Sequence, residues 1–546
     1  MSTIAIHRLH ARYRLGSGTE SQRERMQRIL SDVLDSGLEA AVQRSGIDAS
    51  GELCLREVNA IARLDPNESD SALAAKLALA IAGAIEAGMG DASADVVRYG
   101  SRAHALIDLT VAAVAGDFTR AWAWRRLAIW SAEPTVSRPD AVRLVLRALT
   151  AESRYAAAAV AALAGDAALF DRFLRHASPP QLVALARAVL ESSGCNHDVM
   201  ADTGEPPPTQ DATRLAESVR TLVLRSAIGR AAAASRETEW KADSPSRALA
   251  ALILSETEPV LLHGPADRVR ERIDAVSAEL LELARARGTP AQERSRARTT
   301  LARNAREATP DAAQQHRPER ESGSDRTRVA GRHVDESAHS PVPPRGGTPP
   351  SPLPPRASRE PAAPGLVQPQ WGARPIPDVR RRAHTRFGGL LYLVNLASRI
   401  ELAERIAQEP RLAQRGPRWS LHQIALALVP VSASDPAALA FTGLMPESVP
   451  PNRDEAPPSE PEQAAIAQLR ETLLQELREL LDRPLDPEAE LIDFVCRRTA
   501  EIVADPGWLE VRLSLDEVRT EIRSAGLDLD PGWVPWLAIV IQFVYA

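Results

Sequence analysis

Nucleophiles, metal ligands and phosphate cradles are the residue groupings that give a chain chemistry, and two stretches here approach one. Cys195-Asn196-His197-Asp198 brings a thiol, an imidazole and a carboxylate together in a polar loop. A closed zinc site needs four ligands, and one Cys-x-His supplies only part of such a set. Glu258-Pro259-Val260-Leu261-Leu262-His263-Gly264-Pro265 has the form of the approach to a phosphate loop. The Gly-Lys-Ser/Thr that would cradle phosphates and reach the metal does not follow it. No acid–base pair or nucleophile with a partner emerges elsewhere, so the expectation is no catalytic residue, no metal and no cofactor.

A third grouping concerns recognition rather than reaction. Asp505-Pro506-Gly507-Trp508 is echoed by Asp530-Pro531-Gly532-Trp533, which continues as Val534-Pro535-Trp536. Each Asp-Pro-Gly reads as a tight turn, because Pro pre-sets φ and Gly accepts φ > 0. Trp508, Trp533, Pro535 and Trp536 are therefore candidate anchors. They either lock a core behind the turns or face outward as a partner-binding platform, since Trp is enriched at binding hot spots.

Those anchors need elements to hold them. After Trp508, the residues Leu509, Val511, Leu513 and Leu515 alternate with polar neighbours, the period of a half-buried strand. Ser514 and Glu517 suggest a capping box for a short helix through Val518, Ile522 and Ala525, with Gly526 at its C-terminal end. Beyond Trp536, the residues Ile539, Ile541, Phe543 and Tyr545 share one strand face, with Val540, Gln542 and Val544 on the other. The chain is expected to end on a buried strand.

With 546 residues there is room for about three or four domains. Aromatics make up only 4% of the chain, which together with abundant Ala favours helices packed through small residues. A formal net charge of −6 argues against a general nucleic-acid or membrane-surface binder. Cys54, Cys195 and Cys496 lie far apart, which fits a reducing compartment rather than a disulfide framework. Arg8, Arg12 and Arg14 interrupt any signal-peptide core, and the apolar run near Leu390–Leu396 is too short to span a membrane. A cytoplasmic location is expected.

The expected fold class is mainly α and multi-domain, with small α+β modules at both ends joined by a helical array and a disordered Pro-rich linker. Residues 1–90 read as a βαβα module. It has a strand over His7–Leu15 with one basic face, a helix from Ser21 to Val42, a strand from Leu53 to Val58, and a helix carrying Leu73, Leu77, Ile81 and Ile85. Residues 91–287 read as helices only. Trp122, Trp124 and Trp130 are expected in packing, and Pro134, Pro139, Asp166 and Pro179-Pro180 mark starts or stops. Residues 288–380, rich in Arg, Ser and then Pro, read as a linker with too little apolar surface to offset its ordering entropy. Brief trypsin treatment is expected to cut first between Arg294 and Arg382. Residues 381–546 read as a helical domain. Ser420 is expected to cap a helix from Leu421 and Asp435-Pro436 to open another. A helix from Glu462 to Leu481 follows, then a last helix bearing Leu491, Phe494, Val495 and Ile502, before a strand–helix–strand unit.

Three patches resemble proteins encoded with phage-tail-like contractile injection systems. Ile6-His7-Arg8-Leu9 with Leu53-Cys54-Leu55-Arg56-Glu57-Val58 looks like the opening of their tape-measure-like family. Leu169-Phe170-Asp171-Arg172-Phe173-Leu174, continuing to Ser178-Pro179-Pro180-Gln181-Leu182, is similar to a helical pattern of those proteins. Phe387-Gly388-Gly389-Leu390-Leu391-Tyr392-Leu393, with Ala525-Gly526-Leu527-Asp528 and Asp530–Trp536, looks like the ending of a companion protein of such loci. The resemblance implies a non-enzymatic assembly, scaffold or tape-measure-like component whose partners are other proteins of the particle, with neither nucleic acid nor membrane among them. A cytoplasmic adaptor that binds proteins through the helical array and the Trp-bearing end is the alternative.

Overall fold

The structure, a computed structural model, describes residues 4–6, 8–14, 20–45, 51–89, 95–132, 136–195, 197–200, 212–237, 239–307, 375–453, 455–483 and 487–546. The fold is mainly α, with two small sheets among the described residues. Most of the expected linker, 308–374, lies outside the described residues, whereas residues 288–307 continue the helix Ala266–Glu307.

The first sheet pairs β1 (Glu52–Leu55) with β2 (Val96–Tyr99), antiparallel. Two expectations fail here. Residues 8–14 are not a strand, and the stretch after Asp95 is not wholly helical. Leu9 is 45% exposed, so the alternation around it has no buried face, and a strand without a ladder partner leaves its backbone groups to water. The helices Glu20–Asp32, Leu38–Arg44 and Asp70–Met89 enclose a core of their own, built from Val33, Leu38, Ala41, Val42, Ala78 and Ala82.

The helical array is centred on Arg102–Ala115, buried on every side from Ala103 to Val114. Ser101 caps its start by accepting from the His104 N–H at 3.1 Å, and Gly116 ends it at φ +88°. Asp108 sits fully buried in its middle. It accepts both Arg120 Nε and Nη2 (2.9 and 2.7 Å) and the Tyr99 hydroxyl (2.7 Å). Trp124 Nε1 adds a donor to the same carboxylate at 3.0 Å. Around this axis lie Arg138–Ala151, Ala156–Ala164, Ala167–His176, Pro179–Ser192 and Asp243–Thr257. The starts expected at Asp166 and at the Pro pair after Ser178 are realised as caps. Trp122, Trp124 and Trp130 are all buried, as their packing role requires. The helix Ala212–Arg225 stops at Ser226, whose hydroxyl accepts from the Gly229 N–H and so caps a second helix, Ala227–Ala234.

The second sheet has five strands: β3 (Arg381–Thr385), β4 (Ala500–Asp505), β5 (Trp508–Leu513), β6 (Gly532–Val534) and β7 (Ile539–Tyr545), in the order β3-β4-β5-β7-β6. Pro506 and Gly507 (φ +80°) close the β4–β5 hairpin. β5 and β7 run parallel, pairing Leu509 with Ile541, Val511 with Phe543 and Leu513 with Tyr545. Ile502 lies on β4, not on the preceding helix, which ends at Cys496. Ser514 and Glu517 form no capping box. Ser514 accepts from Asp516 N–H ahead of a single 3₁₀ turn, Glu517 pairs with Arg498, and the helix is only Thr520–Ser524. Gly526, at φ +70°, does take the left-handed position expected of it.

Residues 1–290 and 373–546 belong to one compact unit. The sheet explains why, because its two faces serve two cores. Leu509, Val511, Ile541 and Phe543 join the helices of the C-terminal segment. Val540 joins the core of the helical array, with Trp508 and Trp533 packed against it. The strap before β3 adds polar ties. Arg380 binds Asp505 through two bonds (3.0 and 2.9 Å), and the Pro377 carbonyl meets His104 Nε2 at 2.9 Å. Fragments produced by tryptic nicking between Arg294 and Arg382 are therefore expected to co-elute on native gel filtration. Their separation into two peaks would show that this shared sheet does not hold them.

Candidate functional site

The repeated Trp turns prove to be joints. Trp508, Val540 and Trp533 lie side by side across β5, β7 and β6. Trp533 is half-buried and donates its Nε1–H to the Ser192 carbonyl (2.8 Å) at the end of the helix Pro179–Ser192. Trp536 is buried and donates to the Ser398 hydroxyl at 3.0 Å. Pro535 opens the short 3₁₀ turn that carries it. The stretch around Gly388-Gly389 is another close joint, because a Cβ on Gly389 would stand 2.1 Å from the Val495 carbonyl oxygen. Cys195 is buried, Asn196 lies outside the described residues, and no group of three or more potential metal ligands occurs among the described residues.

The most concentrated unspent chemistry lies where the array meets the sheet, and two carboxylates of one segment build it. Glu256, near the C-terminal end of the helix Asp243–Thr257, accepts from the Ser226 hydroxyl and from the Ala227 N–H (2.8 Å). It thereby caps the helix Ala227–Ala234. Glu258, just past that end, accepts the Arg418 N–H at 3.0 Å and so caps the helix Pro417–Leu428. Gly416 (φ +96°) permits this approach, since a Cβ there would lie 3.1 Å from Glu258 Oε1. Burial pushes both carboxyls above the usual carboxylate range, while the charge of Arg418 and the hydrogen bonds they accept pull the other way.

The expected start of that helix needs correction. It begins at Pro417, not Leu421, and Ser420 is an interior residue whose hydroxyl bonds back to the Gly416 carbonyl. Pro at the first helical position is the natural start, because its missing N–H is not needed there. The shift puts Arg418 in the first turn, with its side chain lining a cavity of about 350 Å³. Burial depresses the guanidinium's proton affinity, and the charges of Glu258 and Glu256 oppose that. Arg418 Nε is buried without a hydrogen-bond partner, as is Nε1 of Trp508, another residue of the cavity wall. The other walls include the alanine face of the helix Ala156–Ala164, the Pro506-Gly507 turn and Leu537–Ile539, with Arg154, Glu256 and Asp505 as charged members. Ala538 holds φ +55°, a left-handed conformation that costs a non-glycine residue on the order of 1 kcal/mol.

A second unspent surface is the helix Asp70–Met89. It has mean hydropathy 1.6 and is long and apolar enough, by length and composition, to cross a membrane. It is a longer apolar stretch than the run near Leu390–Leu396, its hydrophobicity being spread over alanines. Only Leu73, Ala78 and Ala82 are buried along it, and Leu79 is 49% exposed.

No family model, curated protein or solved structure matches this chain.

Proposed function

We propose that this chain is a non-enzymatic assembly or scaffold component of a phage-tail-like contractile injection particle, acting from the cytoplasm through contacts with the particle's other proteins. The observation that supports it is the helix Asp70–Met89, whose apolar surface is buried along one stripe only. Leu79, 49% exposed on the outward side, is the apolar point that such a partner would cover. A protein partner suits this helix better than a lipid one. It carries Lys76 and Glu86 within its length, and it packs sideways on the helix Leu38–Arg44. The resemblance of the Phe387–Leu393 and Asp530–Trp536 stretches supplies the kind of particle.

Deleting the chain is expected to lower the yield of complete particles in electron micrographs. Leu79→Glu is expected to reproduce the loss while leaving the unfolding midpoint of the isolated protein within about 0.5 kcal/mol of its original value, as for other surface substitutions. Removing residues 309–364 is expected to leave tube length unchanged, whereas tubes shortened in proportion would make the chain a ruler. Normal particles without the protein overturn the assembly reading in favour of a cytoplasmic adaptor. Sedimentation of the isolated protein with lipid vesicles, lost in Leu79→Glu, would assign the helix to a membrane instead.

A further inference from the structure

The geometry points to β3 as a docking edge for an extended acidic segment of another protein, taken up as an additional strand of the C-terminal sheet. The inference rests on neither the particle nor the helix Asp70–Met89. β3 is the outermost strand of its sheet. β4 pairs with it from Arg381 to Thr385, and no strand lies on its other side among the described residues. A strand paired on one side only turns alternate N–H and C=O groups outward. No backbone group of Arg381–Thr385 has a protein partner beyond the β4 ladder among the described residues. The edge is also held in place. Arg380 anchors its start on Asp505, and at its end the Thr385 hydroxyl donates to Asp435 at 2.9 Å and accepts the Phe387 N–H at 3.0 Å. A preformed edge costs little ordering when a partner binds.

Charge and alternation select the occupant. Arg382 and His384 share one face of the strand, Arg386 follows just past its end, and all three are exposed. Arg382 reaches only Glu501, at 3.7 Å, and 52% of its side chain stays exposed. No carboxylate pairs with Arg381, His384 or Arg386 among the described residues. The opposite face leads to the core, with half-buried Ala383 beside Ile502 and Thr385 beside Ala500. An added strand therefore fits with acidic residues at alternate positions, next to Arg382 and His384, and apolar residues between them, next to Ala383. In such strand addition the backbone bonds give affinity and the alternate side chains give specificity. A second copy does not suit this edge, because two β3 strands would set Arg381 and Arg382 of each against those of the other. A nucleic acid would meet the charge but cannot continue the ladder.

The test is fluorescence anisotropy of a labelled Glu-Val-Glu-Val-Glu-Val-Glu peptide with the full-length protein, with a peptide of Lys in place of Glu and a single-stranded oligonucleotide as controls. The acidic peptide is expected to bind saturably and the basic one not at all. Two N-methylated versions, blocked at the glutamates or at the valines, separate the ladder from the charge. The one whose blocked amides face β3 should lose binding while the other keeps it. Hydrogen exchange should slow at alternate amides of Arg381–Thr385 when the peptide is bound. Arg382→Gln combined with Arg386→Gln should weaken binding by roughly fivefold, as expected for two exposed charge pairs, with the far-UV spectrum unchanged. Absence of saturable binding overturns the proposal and leaves the arginines as guards of a bare edge. Undiminished binding of both N-methylated peptides overturns it too, since charge alone would then hold them. So does tighter binding of the oligonucleotide, or exchange protection of β3 that grows with protein concentration alone, which would give the edge to a second copy.

Discussion

Asp108→Asn is expected to destabilise the protein by about 3–5 kcal/mol, the usual cost of breaking a buried ion pair by removing one partner. Arg120 is only 7% exposed, and its two bonds to Asp108 are its directed ion pair at the centre of the array. Asparagine keeps the shape and can still accept from Tyr99 or Trp124. It removes the negative charge, however, and turns an NH₂ donor towards a cluster of donors. Tyr99→Phe removes a hydroxyl that donates to Asp108 and accepts from Trp124 Nε1, but leaves that indole its bond to Asp108 and strands no charge, so it should cost only about 1–2 kcal/mol. The gap between the two variants carries the argument, and urea denaturation of both would measure it. A single domain has only about 5–15 kcal/mol in total, so Asp108→Asn should also lower soluble yield. Equal, small losses in the two variants would mean that solvent reaches Arg120 and that the charge pair is not the axis of the array.

Many helices of the array and of the C-terminal segment were legible because their signals are local. Asp166, Ser178 with its prolines, and Asp435-Pro436 are caps that act within one turn, and leucines at helical spacing follow each. β5 and β7 were legible for the same reason, as strict alternation over several residues. β3 was not, because Arg381-Arg382-Ala383-His384-Thr385 is a polar edge strand whose ladder partner lies more than a hundred residues away. On β4, Ile502, Val503 and Ala504 are all buried, and a short continuous apolar run has no period with which to tell strand from helix. The site was the least legible part. Arg418 looks like any arginine beside Gly-Pro, and its setting depends on Glu256 and Glu258, brought from a distant segment. The union of 1–290 with 373–546 was hidden similarly. Val540 sits on the face of β7 that alternation assigns to the outside, and that face covers a second core.

That union gives the last prediction its reach. Deleting residues 534–546 removes the end of β6, the 3₁₀ turn and all of β7, a strand hydrogen-bonded on both sides rather than an edge. Val534, Trp536, Leu537, Ile539, Val540, Ile541 and Phe543 are all buried. At roughly 1.5–3 kcal/mol for each large side chain, their loss is on the order of 10 kcal/mol, comparable with the stability of a whole domain. The damage should not stop at the C-terminal segment. Without Val540, Trp533 and Trp508 lose the neighbour between them, and the face that packs on the array comes apart. The truncated protein should therefore bind the dye ANS and lose near-UV circular dichroism from the array's own tryptophans, Trp122, Trp124 and Trp130, while keeping much of its far-UV helix signal. An intact near-UV spectrum would show that the array folds without the sheet and that the Trp-bearing end is peripheral to it. The partner-binding platform would then be the better account of Trp533 and Trp536.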